Sequence, residues 1–446
     1  MPTLLEKQFF ADVIDLPIQI YGIVRAISAD SITIKGLSGR AKIGDQIDIS
    51  AKDGQTVRTE VIRIDQQDVV VTPYGQLTGL SLGAKAVYLG PQEPRPCWGW
   101  VGKVLDHTGR GLDGGYPVQG GEIYPLNSVP PINRKAIGKR LDTGLAAIDT
   151  FLPLCRGQRL GLFAGSGVGK STLLADLAKS NQADVVILAL VGERGREVRE
   201  FTEKALGEVG MKKSIVFVAT SDEPPALKLR AALLAMASAE YFRDQGKHVL
   251  LLFDSLTRFA EAHRSVALSA GETPSLRAYP PSTFQALAQL CERAGPGSVG
   301  SGDITAVFSV LVAGSNMEEP VADMVRGILD GHIILDRDIA ERGRYPAIDI
   351  RRSVSRSLPE CASGTENQHL THARRLIGAY ENARTLISAG LYQAGSDQLL
   401  DEAVVKYETL DEFMTLKQRG NAADSFAALE AILQDRENSG VGKEQV

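Results

Sequence analysis

A glycine-rich stretch, Ala164–Ser171, has the residue types and the spacing needed to hold a nucleoside triphosphate. It follows the phosphate-loop pattern G-x-x-x-x-G-K-[ST], with alanine in place of the first glycine. Its glycines let successive backbone N–H groups turn inward around an anion. The Lys170 ammonium would reach the β- and γ-phosphates, and the Ser171 hydroxyl would ligate Mg²⁺. The stretch therefore predicts nucleotide binding.

The residues on either side supply the strand and the helix that a phosphate loop requires. Leu160–Phe163 is an apolar run of strand length, and Thr172–Ala178 continues with helical spacing. The amino end of that helix would add partial positive charge beside the phosphates. The alternative is a glycine-rich turn that contains a lysine by chance, but this alternative does not explain the flanking strand and helix. We expect Ala164 to be tolerated, because its φ can stay negative. The predicted nucleotide contacts are Gly165, Ser166, Gly167, Val168, Gly169, Lys170, Ser171 and Thr172.

A carboxylate follows the apolar run Val249–Phe253, which is a predicted buried strand. If this strand lies beside the phosphate-loop strand, Asp254 comes to the edge of the sheet where the phosphates bind. There it could hold Mg²⁺ through the water shell of the ion. An aspartate after an apolar strand is common, so it is the phosphate loop upstream that favours the metal role.

A second carboxylate lies in Val191–Glu197, directly after the predicted strand Val185–Leu190. ATP hydrolysis needs a group that orients and polarises the attacking water opposite the leaving phosphate. Glu193 is the residue that we predict for this role, because it follows a strand at the same edge of the sheet.

Three further side chains are candidates for the same site. Glu197 could hold a metal-bound water, and Arg194 and Arg258 could steady the γ-phosphate. The alternative is a surface salt-bridge cluster, because this segment is rich in residues of both charges that can pair with one another. The position at the end of a strand favours the functional interpretation.

Composition excludes several classes of protein. The chain has 446 residues and a formal net charge of -5, without the basic excess of a nucleic-acid-binding protein. The N-terminus lacks the features of a signal peptide, and the apolar stretches are shorter than the roughly 20 residues that span a bilayer. We therefore expect a cytoplasmic protein that reaches a membrane only through partners. No C-x-x-C pair occurs, which favours reduced thiols over disulfides or zinc at Cys97, Cys155, Cys291 and Cys361.

The N-terminal part of the chain shows two patterns. Met1–Ile18 has apolar residues at helical spacing, and this amphipathic segment would either pack on its own barrel or dock a partner. Tyr21–Leu89 contains short β-rich runs between turn residues, which predicts a small β-barrel. Its eight basic and seven acidic residues and its three tyrosines do not form the cationic, aromatic surface that binds RNA. We interpret this barrel as an assembly collar.

Strands and helices alternate after the phosphate loop, which predicts an α/β core with a mostly parallel sheet covered on both faces. The predicted strands are Val185–Leu190, Ser214–Ala219, Val249–Phe253 and Ile304–Val312, and the predicted helices are Glu197–Val209, Pro225–Gln245 and Pro281–Ala294. From about Thr365 only helical patterns remain, and Ser396 is the predicted cap of one helix. The predicted domains are residues 1–18, 19–90, 91–360 and 361–446.

The order of five motifs resembles the catalytic subunit of the rotary ATP synthases: Ala164–Ser171, Val191–Glu197, Asp254–Phe259, Tyr279–Ser282 and Ser353–Arg356. Within that superfamily, Gly314–Asp323 and Arg326–His332 look like the flagellar and type III protein-export ATPases. The resemblance extends from about Tyr21 to the end of the chain. It implies an N-terminal β-barrel, a RecA-like P-loop core, a C-terminal helical domain and a homohexameric ring.

The resemblance also assigns roles that the residues alone do not. Tyr345 matches the tyrosine that stacks on adenine, and Arg356 matches the arginine that a neighbouring subunit inserts at the γ-phosphate. Without the resemblance, Tyr345 would be a turn residue and Arg356 a surface charge. The rotary enzymes divide the glutamate and this arginine between two kinds of subunit, whereas Glu193 and Arg356 stand in one chain here. A ring of identical subunits could therefore complete all of its own sites.

The implied function is ATP hydrolysis in a ring, with ATP and Mg²⁺ as cofactors, coupled to protein export during flagellum assembly. The implied partners are a cytoplasmic regulator or stator protein, a stalk protein, the membrane export gate, and exported proteins with their chaperones. The implied location is the cytoplasm, at the inner-membrane export apparatus. The alternatives are an injectisome ATPase, a rotary synthase subunit, an RNA translocase and a non-catalytic ring component. The presence of Glu193 and Arg356 in one chain argues against a rotary synthase subunit. The composition of the barrel argues against an RNA translocase, and Glu193 argues against a non-catalytic ring component.

Overall fold

The computed structural model describes residues 19–115, 120–180, 182–275, 278–312, 317–417 and 420–434. The amphipathic segment predicted at Met1–Ile18 lies outside these residues. The chain folds into two compact units. Of the described residues, the first unit contains those up to Glu93 together with Pro224–Ala226 and Arg264–Pro274, and the second contains the others. The finer domain boundaries predicted from the sequence stay predictions.

Six antiparallel strands of the first unit close into a barrel. They are β1 (Tyr21–Ile27), β2 (Ile32–Lys35), β3 (Gln46–Ser50), β4 (Thr56–Ile64), β5 (Asp68–Pro73) and β6 (Lys85–Gly90). Their order around the barrel is β1-β2-β5-β4-β3-β6. Apolar side chains such as Ile32, Ile34, Ile47 and Ile49 alternate with polar ones and are fully buried inside the barrel. The predicted barrel is confirmed.

The second unit is built on a nine-stranded sheet. Its strands are β7 (Val104–Leu105), β8 (Arg159–Ala164), β9 (Val185–Glu193), β10 (Ser214–Thr220), β11 (His248–Asp254), β12 (Gly295–Pro296), β13 (Asp303–Leu311), β14 (Gly331–Leu335) and β15 (Val354–Ser355). The order is β15-β14-β8-β13-β11-β9-β10-β7, with β12 paired to β13. All pairings are parallel except those of β12 and β15, which confirms the predicted sheet.

Both faces of this sheet are covered, because successive residues of the central strands enter two different apolar cores. In β9, Val186, Leu188 and Leu190 enter one core, and Val185, Ile187 and Ala189 enter the other. The helices that cover the sheet are α1 (Ala146–Thr150), α2 (Lys170–Ser180), α3 (Gly195–Glu200), α4 (Gly207–Met211), α5 (Pro225–Asp244), α6 (Leu256–Ser269), α7 (Pro281–Arg293), α8 (Pro320–Ile328) and α9 (Arg337–Glu341). A 3-10 turn at Trp98–Trp100 precedes β7.

The predicted helix Glu197–Val209 is helical over its whole length, but it is not one regular α-helix. The chain runs from α3 through a π-helical turn at Phe201–Leu206 and then into α4. Gly207, where the π-helical turn ends and α4 begins, has a φ of 61°, a positive value that glycine adopts readily. This glycine, near the end of the predicted segment, marks the change from π-helical to α-helical hydrogen bonding.

Three helices end the described chain: α10 (Gly364–Ser388), α11 (Gln398–Phe413) and α12 (Ala422–Gln434). The predicted cap at Ser396 is wrong by one residue, because the Asp397 carboxylate accepts the first N–H groups of α11 while the Ser396 hydroxyl donates to the Gln393 carbonyl. Apolar side chains of these helices, including Leu376, Leu410 and Phe413, belong to one of the two sheet cores. No helix among the described residues has the length and apolar character to cross a membrane.

Candidate nucleotide-binding and catalytic site

The phosphate loop lies between the end of β8 and the first residue of α2. Gly167 and Gly169 have φ values of 78° and 89°, which explains why glycine occupies both positions. Ala164 is the last residue of β8 and lies outside the positive-φ region, as expected. Val168 is 2% exposed, so its side chain belongs to the core and only its backbone can face a phosphate. The loop backbone thus has the form that a phosphate cradle requires.

The Lys170 ammonium joins the two predicted carboxylates. Its Nζ lies 2.5 Å from Asp254 Oδ1 and 3.3 Å from Glu193 Oε1. Burial alone would lower the pKa of Lys170, but the charges of Asp254 and Glu193 outweigh it and raise that pKa above its usual value. The lysine therefore stays positively charged at neutral pH, at the carboxyl edge of the sheet and directly beside the phosphate loop.

Asp254 contacts Lys170, but its strand occupies a different position in the sheet from the predicted one. The expectation that its strand lies beside the phosphate-loop strand is wrong, because β13 is inserted between β8 and β11. The register pairs Phe253 with Phe308, so Ser309 of β13 follows level with Asp254. The buried Ser309 hydroxyl donates a hydrogen bond of 2.6 Å to Asp254 Oδ1.

Ser309 is a site residue that the sequence analysis missed. A hydroxyl near the carboxyl end of the apolar strand Asp303–Leu311 is the signal that could have revealed it. A serine there has no apolar packing role, and a buried hydroxyl needs a partner. That partner is the carboxylate predicted to serve the metal.

We expect Ser309→Ala to lower kcat about tenfold, since a hydrogen bond to a charged group contributes about 1.5–3 kcal/mol and Asp254 would lose its fixed orientation. The measurement is steady-state ATP hydrolysis over a Mg²⁺ titration, with the melting temperature recorded in parallel. Ser309→Thr, which keeps the hydroxyl, is the matched control and should recover most of the lost rate. Equal rates for Ser309→Ala and the parent protein would show that the contact has no positioning role.

The other charged candidates, Glu197, Arg194 and Arg258, form ion pairs that do not include Lys170. Glu197, in the first turn of α3, forms an ion pair of 3.7 Å with Arg194, whose side chain is largely exposed, while that of Glu197 is partly exposed. Arg258 forms an ion pair of 2.8 Å with Glu261, and its aliphatic stem lies so close to Gly192 that a Cβ there would meet it at 3.0–3.2 Å. The structure therefore brings Glu193 and Asp254 to Lys170 and leaves these three side chains at the rim.

Tyr345 lies against the phosphate loop. A Cβ at Gly169 would meet two atoms of the Tyr345 ring at 3.1 and 3.3 Å, so the ring packs directly on the glycine backbone. The ring is about half exposed, which leaves it a free face. The neighbouring Arg344 is buried and pairs with Asp411 of α11 at 3.2 Å, which fixes this loop against the C-terminal helices. Sequence spacing alone gave no signal for this contact.

Arg356 lies away from the phosphate loop of its own chain. It follows the edge strand β15, its side chain is exposed, and its N–H donates to the Asp330 carbonyl. The Asp330 N–H in turn donates to the carbonyl of Arg159, the first residue of β8. Ala164 ends β8 five residues later, which is about 16 Å along the strand. The guanidinium is therefore directed to the surface at the opposite edge of the sheet.

This loop, its acidic partners and the parallel sheet define the class of phosphate-loop nucleotide-binding proteins with a RecA-like core. Residues 144–355 match the family model described as "ATP synthase alpha/beta family, nucleotide-binding domain". Residues 362–435 match the model described as "T3SS EscN ATPase C-terminal domain". The chain belongs to the ATP synthase alpha/beta family and, within it, to the flagellar and type III export ATPases.

The individual similarities extend over nearly the whole chain. It is 42% identical to the flagellum-specific ATP synthase of Caulobacter vibrioides, over 94% of this chain and 97% of the relative. It is 40% identical to the flagellum-specific ATP synthase of Salmonella typhimurium, over 92% and 93%. The assembled ATPase EscN of the enteropathogenic E. coli type III secretion system shares the fold with a TM-score of 0.84 and 36% identity, over 92% of this chain and 100% of that one.

Proposed function

We propose that the protein hydrolyses ATP in a ring of identical subunits and thereby drives protein export during flagellum assembly. The contact of Lys170 with both Glu193 and Asp254, beside the phosphate loop, is the observation that carries the proposal. In this cluster a cation that could face the phosphates contacts two carboxylates, which supports separate roles for the two carboxylates. Such a cluster suits phosphoryl transfer to water.

The phosphate loop and the Lys170 ammonium bind the β- and γ-phosphates of ATP. Glu193 lies at the solvent-accessible side of the cluster, with a side chain 20% exposed, and it polarises the attacking water. Glu193 takes this role in preference to Glu197 because it contacts Lys170, whereas Glu197 pairs with Arg194. Arg194 and Arg258 reach the γ-phosphate only after leaving their ion pairs.

The donor set fits Mg²⁺, which prefers oxygen ligands and keeps much of its water when phosphates are present. Ser171 offers a hydroxyl at the start of α2, and Asp254 offers a carboxylate. The hydrogen bonds that the described residues make to Asp254 go to Oδ1, so Oδ2 remains available to a metal-bound water. Bound Mg²⁺ would neutralise phosphate charge, and Glu197 is the more distant carboxylate that could hold another of its waters.

The position of Arg356, at the edge of the sheet away from its own phosphate loop, supports the proposal of a ring. An arginine there can complete only a site on a neighbouring subunit. The similar EscN structures are those of the assembled ATPase and of the assembled ATPase with its central stalk EscO. We propose a homohexamer with a stalk protein, a regulator or stator protein, the membrane export gate, exported proteins and their chaperones as partners.

We propose a flagellar role because the relatives at 40–43% identity are flagellum-specific proteins. An injectisome role is the second candidate, favoured by the similarity to EscN over 92% of the chain. In either case the protein would act in the cytoplasm at the inner membrane, bound through its partners.

Deletion of the gene for this chain tests the proposal. We expect motility and the export of filament protein to be lost and then restored by the parent sequence. Lys170→Ala should fail to restore them although it folds, because it removes the cation that faces the phosphates. Culture supernatants and motility agar provide the measurements. Loss of effector secretion with normal motility would instead support the injectisome role, and unchanged export of both kinds would contradict the proposed function.

A further inference from the structure

A buried ion pair connects the loop that carries Tyr345 to the C-terminal helices. The Arg344 side chain is 8% exposed, and its Nε lies 3.2 Å from Oδ1 of Asp411 in α11. Its Nη2 donates a hydrogen bond of 2.8 Å to the Ile348 carbonyl, and its Nη1 donates to the Met414 sulfur at 3.2 Å. A guanidinium removed from water needs a counter-charge, because an unpaired buried charge is costly. Asp411 supplies that charge.

Different parts of the fold hold the two sides of Tyr345. On the carboxyl side, Ile348 forms a backbone bridge with Leu335 of β14, so the chain there is fixed to the central sheet. On the amino side, the backbone N–H of Arg344 makes a long hydrogen bond of 3.4 Å to a carbonyl of α9. The amino side therefore depends on the Arg344 side chain and, through it, on Asp411.

The position of Asp411 is itself fixed by contacts between α10 and α11. The ring of Tyr407, one turn before Asp411, stacks on the ring of Tyr380 with centroids 3.7 Å apart. The Tyr407 hydroxyl also donates a hydrogen bond to Glu381 of α10. These contacts hold the turn of α11 that presents the Asp411 carboxylate to the buried guanidinium.

A cavity of about 200 Å³ lies beside the ion pair. Arg344 and Asp411 line it, and so does Glu381, whose ion pairs with other arginines are longer than 3.5 Å. If Asp411 lost its charge, Arg344 would therefore have a second carboxylate and open space on the same side. A guanidinium that turned toward Glu381 would give up its present contacts, and the backbone before Tyr345 would lose its anchor.

We propose that Asp411 is a positioning residue for the adenine of ATP, because through Arg344 it holds the Tyr345 ring at the phosphate loop. This inference rests on the proposed role of Tyr345 at adenine. The ring packs on Gly169 and is about half exposed, so a shift of its backbone moves the surface on which a base would stack. Stacking involves a part of the nucleotide that does not react, so its loss should raise KM and leave kcat nearly unchanged.

The test measures the affinity of the full-length protein for ADP by isothermal titration calorimetry, which does not depend on hydrolysis. We expect Tyr345→Ala to weaken ADP binding about tenfold. Asp411→Asn should weaken it about fivefold. The variant with both changes should bind ADP no more weakly than Tyr345→Ala, because Asp411 acts only through the ring that is already absent. Steady-state kinetics of Asp411→Asn should show the same rise in KM and the kcat of the parent protein.

Three further variants serve as controls, each with its melting temperature recorded. Asp411→Glu keeps the carboxylate and should recover most of the lost affinity. Glu412→Gln alters the next, exposed residue of α11 and should bind ADP as the parent protein does. Arg344→Gln combined with Asp411→Asn leaves no buried charge unpaired, so it gives a folded protein even if the single change is destabilising. It should bind ADP as weakly as Asp411→Asn.

The possible results separate this inference from the proposed function. Parent-like ADP binding by Asp411→Asn, together with weak binding by Tyr345→Ala, would overturn the inference and leave the proposed function intact. Equal losses from Asp411→Asn with and without the Tyr345 ring would also overturn it, because Asp411 would then act by another path. Parent-like binding by Tyr345→Ala would show that the ring does not contact adenine, and the role of Asp411 would be excluded with it.

Discussion

Glu193→Gln is expected to bind ATP as the parent protein does and to hydrolyse it about 10²–10⁴ times more slowly. The amide keeps the shape of the side chain at the end of β9 and can still lie 3.3 Å from Lys170. It loses the negative charge that polarises the attacking water. Binding survives because the phosphate loop and Lys170 hold the phosphates, and neither is altered.

Separate measurements of binding and turnover test this assignment. Nucleotide affinity is measured with a non-hydrolysable ATP analogue, and turnover is measured by phosphate release at saturating ATP. Glu203→Gln, at an exposed position paired with Arg199, is the matched control and should leave both values unchanged. Lys170→Ala is the contrasting variant, since it should weaken binding as well as abolish turnover. Normal hydrolysis by Glu193→Gln would contradict the assignment and make Glu197 the next candidate.

The phosphate loop was predictable because its function depends on local backbone geometry. The local sequence determines the positive φ of Gly167 and Gly169, and it also determines the strand and the helix on either side of them. The barrel and the alternating sheet were predictable for a related reason. Runs of apolar residues and turn residues at regular intervals determine which segments become strands, whatever their order in space.

Strand order was not predictable in this way. Whether β11 or β13 lies next to β8 depends on how the connections pack, and no residue of Val249–Phe253 encodes its neighbour. Because the predicted strand order was wrong, the sequence analysis missed Ser309, which is important only because it lies beside Asp254.

Tyr345 and Arg356 show the limit most clearly. The Tyr345 ring lies on Gly169 because of the fold, and the turn that contains it has no distinctive spacing. In an isolated chain Arg356 would have no part in ATP hydrolysis, because its exposed side chain lies at the edge of the sheet away from its own phosphate loop. Both roles came from the family resemblance, and for Arg356 the structure supplies a physical argument that can be tested.

Arg356→Ala is expected to bind ATP and to assemble, yet to hydrolyse ATP about 10³–10⁵ times more slowly than the parent protein. The proposed role of Arg356 accounts for this loss, because the arginine would stabilise charge on the γ-phosphate of ATP bound to the neighbouring subunit. Parent protein should gain specific activity steeply with concentration as rings form, whereas the variant should stay slow at every concentration. Size-exclusion chromatography with light scattering would verify that both assemble. Arg351→Ala, which removes an exposed arginine from the same segment, is the control and should remain active.

Mixing two inactive variants tests whether Arg356 acts on its own subunit or on the neighbouring one. In a ring containing Lys170→Ala and Arg356→Ala subunits, some sites combine an intact Lys170 with an intact Arg356 from the next subunit. Those sites should hydrolyse ATP, so the mixture should recover part of the parent activity although each variant alone is inactive. If Arg356 acted within its own chain, each Lys170→Ala subunit would lack its lysine and each Arg356→Ala subunit its arginine. No site would then be complete, and mixed rings that are shown to form yet remain inactive would exclude action across the interface.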